Sequence, residues 1–241
     1  MDLFKPNHGV IVAADVEALD ELLKLVDEIS GVDGILGYKI GFLLGLEHGL
    51  PNVVRKIRDY TNKTIIYDHQ KASTDIPEMG VPFASLMLRA DVDGAIIFPE
   101  SGPVTEEAFV KALKEVGGSG VVPLVGGEMT HKGYLAKEGG FIRDDAPQKM
   151  YLIGAQHGAQ HFIVPGNRPD SIRTYVELLA EYNPRLCMPG IGRQGGDIRS
   201  AFEACKGFPA YAIVGSGIYR PGEGTMKEAA KRFADEALSV G

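Results

Sequence analysis

The chain has 241 residues, 44% hydrophobic and 24% charged, proportions ordinary for a soluble globular protein. Its formal net charge of −7, with no basic stripe, argues against nucleic acid or an anionic membrane as a partner, but leaves open an anionic small molecule held by locally gathered positive groups. No apolar run approaches the roughly 18–20 residues of a membrane span, and the opening MDLFKPNHGVIVAADVE is too short in its apolar part and too acidic at its end for a signal peptide. Cys187 and Cys205 are too few for a disulfide framework and read as reduced thiols of a cytoplasmic protein, with Cys187 packed in an apolar run.

In chain order, the first strand is expected over GVIVAAD (9–15), followed by a helix over 17–29 that places Leu19, Leu22, Leu23, Val26 and Ile29 on one stripe. Further strands are expected over GILGYKI (34–40), KTIIYD (63–68), VDGAIIF (92–98) and GVVPLVG (120–126). AQHFIVP (159–165), RLCMPG (185–190) and AYAIVGS (210–216) complete the set. Helical spacing recurs in EEAFVKALKEV, RPDSIRTYVELLAEY and GTMKEAAKRFADEAL. Near-continuous apolar strands suit a parallel sheet covered on both faces. Eight strand–helix units in this length predict a (β/α)8 TIM barrel, a single domain over 1–241. The rival, an open doubly wound sheet, calls for a Gly-rich turn after the first strand, and VAADVEALD has none there.

In a barrel, chemistry sits at the C-terminal ends of the strands. Those ends carry Asp15, Lys39, Asp68 with Lys71 and Asp75, Pro99-Glu100, Glu128-Met129-Thr130-His131, Pro165-Gly166-Asn167, PGIGRQGGD (189–197) and VGSGIYRPGEG. Each has a bland reading beside the functional one. Asp15 suits the N-cap of the next helix. Lys39 could snorkel from a strand end, although lysine is almost never fully buried unpaired. Asp75 could cap the helix that Ile76-Pro77 begins. Capping does not explain why Lys39, Asp68 and Lys71 should converge on one rim, where alternating charges keep each group ionised. A lysine held protonated in a dry site is a proton donor.

The glycine-rich loop 189–197 is in register to seat a phosphate beside VGSG at the end of the eighth strand, with Gly192, Gly195, Gly215 and Ser216 contributing backbone. Arg193, Gln194 and Arg220 add side-chain donors. His157 and His161 are spaced i, i+4 but lie near the start of a strand, so no metal site is expected there. His131 and Lys132 are better placed, after the fifth strand.

With Asp15, Lys39, DHQKASTDIP, GEMTH, PGIGRQGGD and IVGSGIY in this order, nearly the whole chain resembles orotidine 5′-phosphate decarboxylase, closest to its short archaeal and bacterial forms. The resemblance maps the family's Lys–Asp–Lys–Asp array onto Lys39, Asp68, Lys71 and Asp75 as catalytic residues. It also implies that Asp15 holds ribose, that Thr130 supplies the pyrimidine-contacting hydroxyl, and that Gln194 lies between phosphate and pyrimidine. It further implies metal-free, cofactor-free decarboxylation of orotidine 5′-monophosphate to uridine 5′-monophosphate, in a cytoplasmic homodimer whose Asp75 reaches the neighbour's site.

Two departures stand out. The motif reads Asp-x-x-Lys-x-x-x-Asp, one residue longer on each side of the lysine than the family's usual form, so the chain must bulge or leave the strand early. A gapless match would put Gln70 at the lysine's place; Lys71 is preferred as the ammonium available in the loop. Ser216 stands where the family places its phosphate-binding arginine, leaving Arg193 or Arg220 to supply that charge. The alternatives are a Mg²⁺-dependent phosphosugar enzyme of the same barrel, of the 3-keto-gulonate-6-phosphate decarboxylase or hexulose-6-phosphate synthase kind, or a nucleotide-binding barrel without catalysis.

Overall fold

Strand β1 (His8–Ala13) and helix α1 (Leu19–Ile29) set the unit that the chain repeats. Leu22, Leu25, Val26 and Ile29 fall on one stripe of α1 and are all buried, because that face packs on the sheet. The computed structural model describes residues 2–69, 73–118 and 120–240. Within them follow β2 (Ile35–Gly41), β3 (Thr64–Asp68), β4 (Gly94–Ile97), β5 (Val122–Gly126), β6 (His161–Ile163), β7 (Arg185–Met188) and β8 (Ala210–Val214). Each pairs parallel with its neighbours and β8 closes on β1, which gives the expected (β/α)8 barrel and removes the open sheet. The regular strands are shorter than the apolar runs suggest. The sixth, expected over 159–165, is regular only over His161–Ile163, although the Gln160 carbonyl and the Val164 N–H still bond to the backbone of the seventh strand.

The outer layer is α2 (Phe42–His48), α3 (Leu50–Arg58), α4 (Gly80–Arg89), α5 (Pro103–Glu115), α6 (Ala146–Gln156), α7 (Pro169–Leu179), α8 (Ile198–Ala204), α9 (Ser216–Tyr219) and α10 (Met226–Ser239). Helix α10 starts with a capping box between Thr225 and Glu228. Strand alternation sorts the core. Ile11, Ala13, Ile66, Ile96, Leu124, Ile163 and Cys187 fill the barrel, whereas Val10, Val12, Tyr38, Ile40 and Phe162 face the helices. The N-terminal segment, unassigned by sequence reasoning, closes the floor. The ring of Phe4 lies 4.6 Å from that of Tyr211, and Thr64 Oγ1 donates to the Leu3 carbonyl at 3.0 Å.

His161 belongs to this floor. It is fully buried, 6.5 Å from Phe4 ring to ring, and burial lowers its pKa to about 3. His157 instead lies near Glu107, at 3.8 Å, so the two histidines share no centre.

Candidate active site

The charged groups of the rim are placed by alternation. In β2, Tyr38 and Ile40 turn toward the helices, which sends Lys39 into the barrel; in β3, Ile66 and Asp68 share the inward face. Lys39 Nζ lies 2.9 Å from Asp68 Oδ2 and 3.2 Å from Asp15 Oδ1. Burial opposes the ammonium charge, but attraction by Asp68 and Asp15 outweighs it and raises the Lys39 pKa to about 12. Asp15 therefore serves the rim and not α1, whose N-cap is Ala18 with no side-chain cap. Gly41 makes room for it, since a Cβ there would come within 2.9 Å of Asp15 Oδ1. Asp68 Oδ1 is buried without a hydrogen-bond partner among the described residues.

Strand β3 ends at Asp68. Gln70 and Lys71 lie outside the described residues. The loop returns at Ser73 with φ 71°, a left-handed conformation unusual for serine. Asp75 is exposed and caps no helix: Oδ1 accepts from the Ile76 backbone N–H at 2.7 Å, and the 3-10 turn Pro77–Met79 begins without a side-chain cap. Its carbonyl accepts from Thr105 Oγ1 of α5 at 3.0 Å.

A cavity of about 440 Å³ opens at this rim. It brings together Asp15, Lys39, Asp68, Thr130, Arg193, Gln194, Gly215 and Ser216 from the residues singled out in the sequence. His131 also lines it, whereas Asp75, Lys132, Gly192, Gly195 and Arg220 do not. Gly192 and Gly195, with φ 81° and 87°, instead shape the turn, whose end Asp197 caps α8 by accepting from the Ser200 backbone N–H. Arg220 lies outside, 3.8 Å from Glu17, and its carbonyl accepts from Arg193 Nη2 at 3.0 Å. Tyr219 lines the cavity, and its hydroxyl donates to the Asp15 carbonyl at 3.3 Å. Among the described residues no group of three or more His, Cys, Asp and Glu side chains is arranged to hold a metal ion.

The loop after β5 hangs on an ion pair between buried Glu128 and half-buried Arg168. Glu128 accepts from the hydroxyl of Tyr175 and from Arg168 Nη1, the latter at 2.8 Å, and Arg168 also reaches Glu138 at 2.6 Å and the His131 carbonyl at 3.1 Å. Tyr134 adds a bond to the Gly127 carbonyl at 2.9 Å. These contacts set where Thr130 meets the cavity.

Compared with known proteins, residues 8–233 match the family model described as Orotidine 5'-phosphate decarboxylase / HUMPS family. The chain belongs to that family. Two curated decarboxylases extend the likeness along the whole barrel. The orotidine 5'-phosphate decarboxylase of Pyrococcus abyssi is 32% identical over 94% of this chain and 98% of its own. That of Thermococcus kodakarensis is 31% identical over 96% of this chain and 97% of its own. Among solved structures, the Methanocaldococcus jannaschii orotidine 5'-monophosphate decarboxylase, complexed with the inhibitor BMP, superposes with TM-score 0.79 at 25% identity, covering 95% of this chain and 98% of that one. The Pyrococcus horikoshii enzyme superposes with TM-score 0.77 at 26% identity, over 95% of this chain and 99% of that one.

Of the rim residues, Arg168 is not singled out by the sequence, and Asn167 and Tyr219 stand there only within strand-end segments, with no role of their own. Their one signal is position, since all follow a strand at its C-terminal end.

Proposed function

We propose that this chain decarboxylates orotidine 5′-monophosphate to uridine 5′-monophosphate, a step of pyrimidine nucleotide synthesis. The observation that carries the reading is the buried Lys39–Asp68 pair, joined by Asp15, at the rim of a barrel whose family match runs over residues 8–233. Loss of CO2 breaks the bond from pyrimidine C6 to the carboxyl carbon and leaves the electron pair on C6. Lys71 is assigned both duties that follow, stabilising that charge and delivering a proton to C6; solvent then reprotonates the amine. Asp68 sits near the departing carboxylate and, with Lys39, keeps the array ordered. Lys39 and Asp15 hold ribose hydroxyls. Thr130 meets the pyrimidine, and Gln194 spans pyrimidine and phosphate.

Arg193 takes the phosphate in place of the arginine missing at Ser216. Its support is position: Arg193 lines the cavity beside Gly215 and Ser216, whereas Arg220 lies outside it near Glu17. Phosphate binding remote from the reacting bond offsets the cost of ordering the site.

The active form is a homodimer in which Asp75 serves the partner's site. Asp75 is exposed and absent from its own cavity, and exposed apolar side chains follow the second and third strands: Phe42, Leu43 and Leu46 on α2, and Ile76 and Met79 close to Asp75 in sequence. Large apolar side chains left in solvent beside the site suit a protein contact. No helix among the described residues is long and apolar enough to cross a membrane. Cys187 and Cys205 are free and buried, in keeping with the cytoplasm.

The test is an optical assay of orotidine 5′-monophosphate with the purified protein in chelator. Turnover to uridine 5′-monophosphate supports the reading; its absence, with uridine 5′-monophosphate still bound, would leave a binding barrel.

A further inference from the structure

One carboxamide spans the two loops that carry Thr130 and Gln194. Asn167 follows β6, between the loop after β5 and the loop after β7. Its Nδ2 donates to the Thr130 carbonyl at 3.1 Å and to the Gln194 carbonyl at 3.4 Å. Carbonyl oxygens only accept, so the nitrogen must face them and the amide's orientation is decided by chemistry. Oδ1 is left buried with no hydrogen-bond partner among the described residues. Gly190 permits the approach: with φ 92°, it stands where a Cβ would meet Thr130 Cγ2 at 2.9 Å and Asn167 Oδ1 at 3.3 Å. The next residue, Arg168, anchors the same β5 loop through Glu128 and the His131 carbonyl.

We propose that Asn167 is a positioning residue that couples the phosphate-side loop to the pyrimidine-side loop. The proposal rests on the nucleotide reading above. Two donors on one rigid amide meet one acceptor from each loop, so a shift of Gln194 is felt at Thr130. The 3.1 Å bond is of ordinary length, whereas the 3.4 Å bond is long and has room to shorten when a phosphate draws its loop inward. Substrate lacking the phosphate leaves that link slack, and Asn167 then contributes little.

The experiment compares kcat/KM of wild type, Asn167→Ala and Asn167→Asp on orotidine 5′-monophosphate and on orotidine, the same base and sugar without phosphate. Coupling of ordinary size predicts a loss of about tenfold on the nucleotide and under about twofold on the nucleoside. Asn167→Asp keeps the shape but offers no donor to the two carbonyls, and it should lose as much as Asn167→Ala. Equal losses on both substrates, or wild-type activity of Asn167→Asp, would overturn the proposal. Calorimetric binding of uridine 5′-monophosphate and uridine reads the same coupling without turnover: the variants must weaken the nucleotide selectively. A wild type that binds the nucleotide but does not convert it therefore defeats the decarboxylase reading alone, whereas unselective weakening defeats the coupling alone.

Discussion

Lys39 and Asp68 form a buried ion pair, 2.9 Å from Nζ to Oδ2, on neighbouring strands of the barrel. Removing one partner strands the other charge, so Lys39→Ala should cost roughly 3–5 kcal/mol of stability in urea unfolding. The double variant Lys39→Ala/Asp68→Ala should lose less than the sum of the singles, the mark of a direct interaction. Additive losses would mean the pair contributes no coupling. The pH sign follows from a raised lysine pKa. Stability from this charge is complete below about 10.5 and is lost as pH rises through about 12, so no titration of Lys39 should appear in activity between pH 6 and 9.

Sharing of Asp75 between subunits can be read from hybrids. Lys71→Ala and Asp75→Asn proteins, each inactive, are unfolded together and refolded as a mixture. If Asp75 crosses the interface, half the dimers are hybrids and each has one intact site, so activity should recover to about a quarter of wild type. No recovery, with hybrids shown to form, would place Asp75 in its own subunit's site.

Arg193 and Arg220 differ in what they face. Arg193→Ala should raise KM for the nucleotide at least about tenfold, as loss of a charge-assisted phosphate contact does. Arg220→Ala should change it less than about twofold, because its guanidinium lies outside the cavity near Glu17. The reverse order would move the phosphate to Arg220.

Glu106 offers a pH test away from the site. Burial against α6 raises its pKa from 4.5 to about 9, with the Gly154 backbone N–H only partly opposing. The folded state therefore holds a proton that the unfolded chain releases above about pH 4.5. Stability is full below that value and declines as pH rises toward 9. Glu106→Gln removes the proton, so between pH 6 and 9 its melting temperature should fall at least about 2–4 °C less than that of wild type, the shift expected per ~1 kcal/mol. Parallel profiles would show Glu106 ionised in the folded protein.

How far the sequence could be read depended on whether a residue's role is local. The strands were legible because parallel strands buried on both faces are continuously apolar, and Lys39 and Asp68 were conspicuous as charges at the ends of such runs. Asp15 was ambiguous, since a carboxylate before a helix suits a cap as well as a site; only the neighbouring strand's lysine decides. Helical spacing located α5 but could not say that Glu106 turns inward while Glu107 pairs with Lys111 in solvent. Arg168 meets Glu128 forty positions away, and Asn167 joins two loops by backbone carbonyls, contacts that leave no pattern along the chain. The floor formed by Phe4 is hidden for the same reason.

The most direct measurement is the turnover of orotidine 5′-monophosphate by Lys71→Ala beside wild type in chelator, with uridine 5′-monophosphate affinity determined on both. The account predicts steady conversion by wild type, none detectable by the variant, and product binding preserved in each. Substantial conversion by the variant would contradict it.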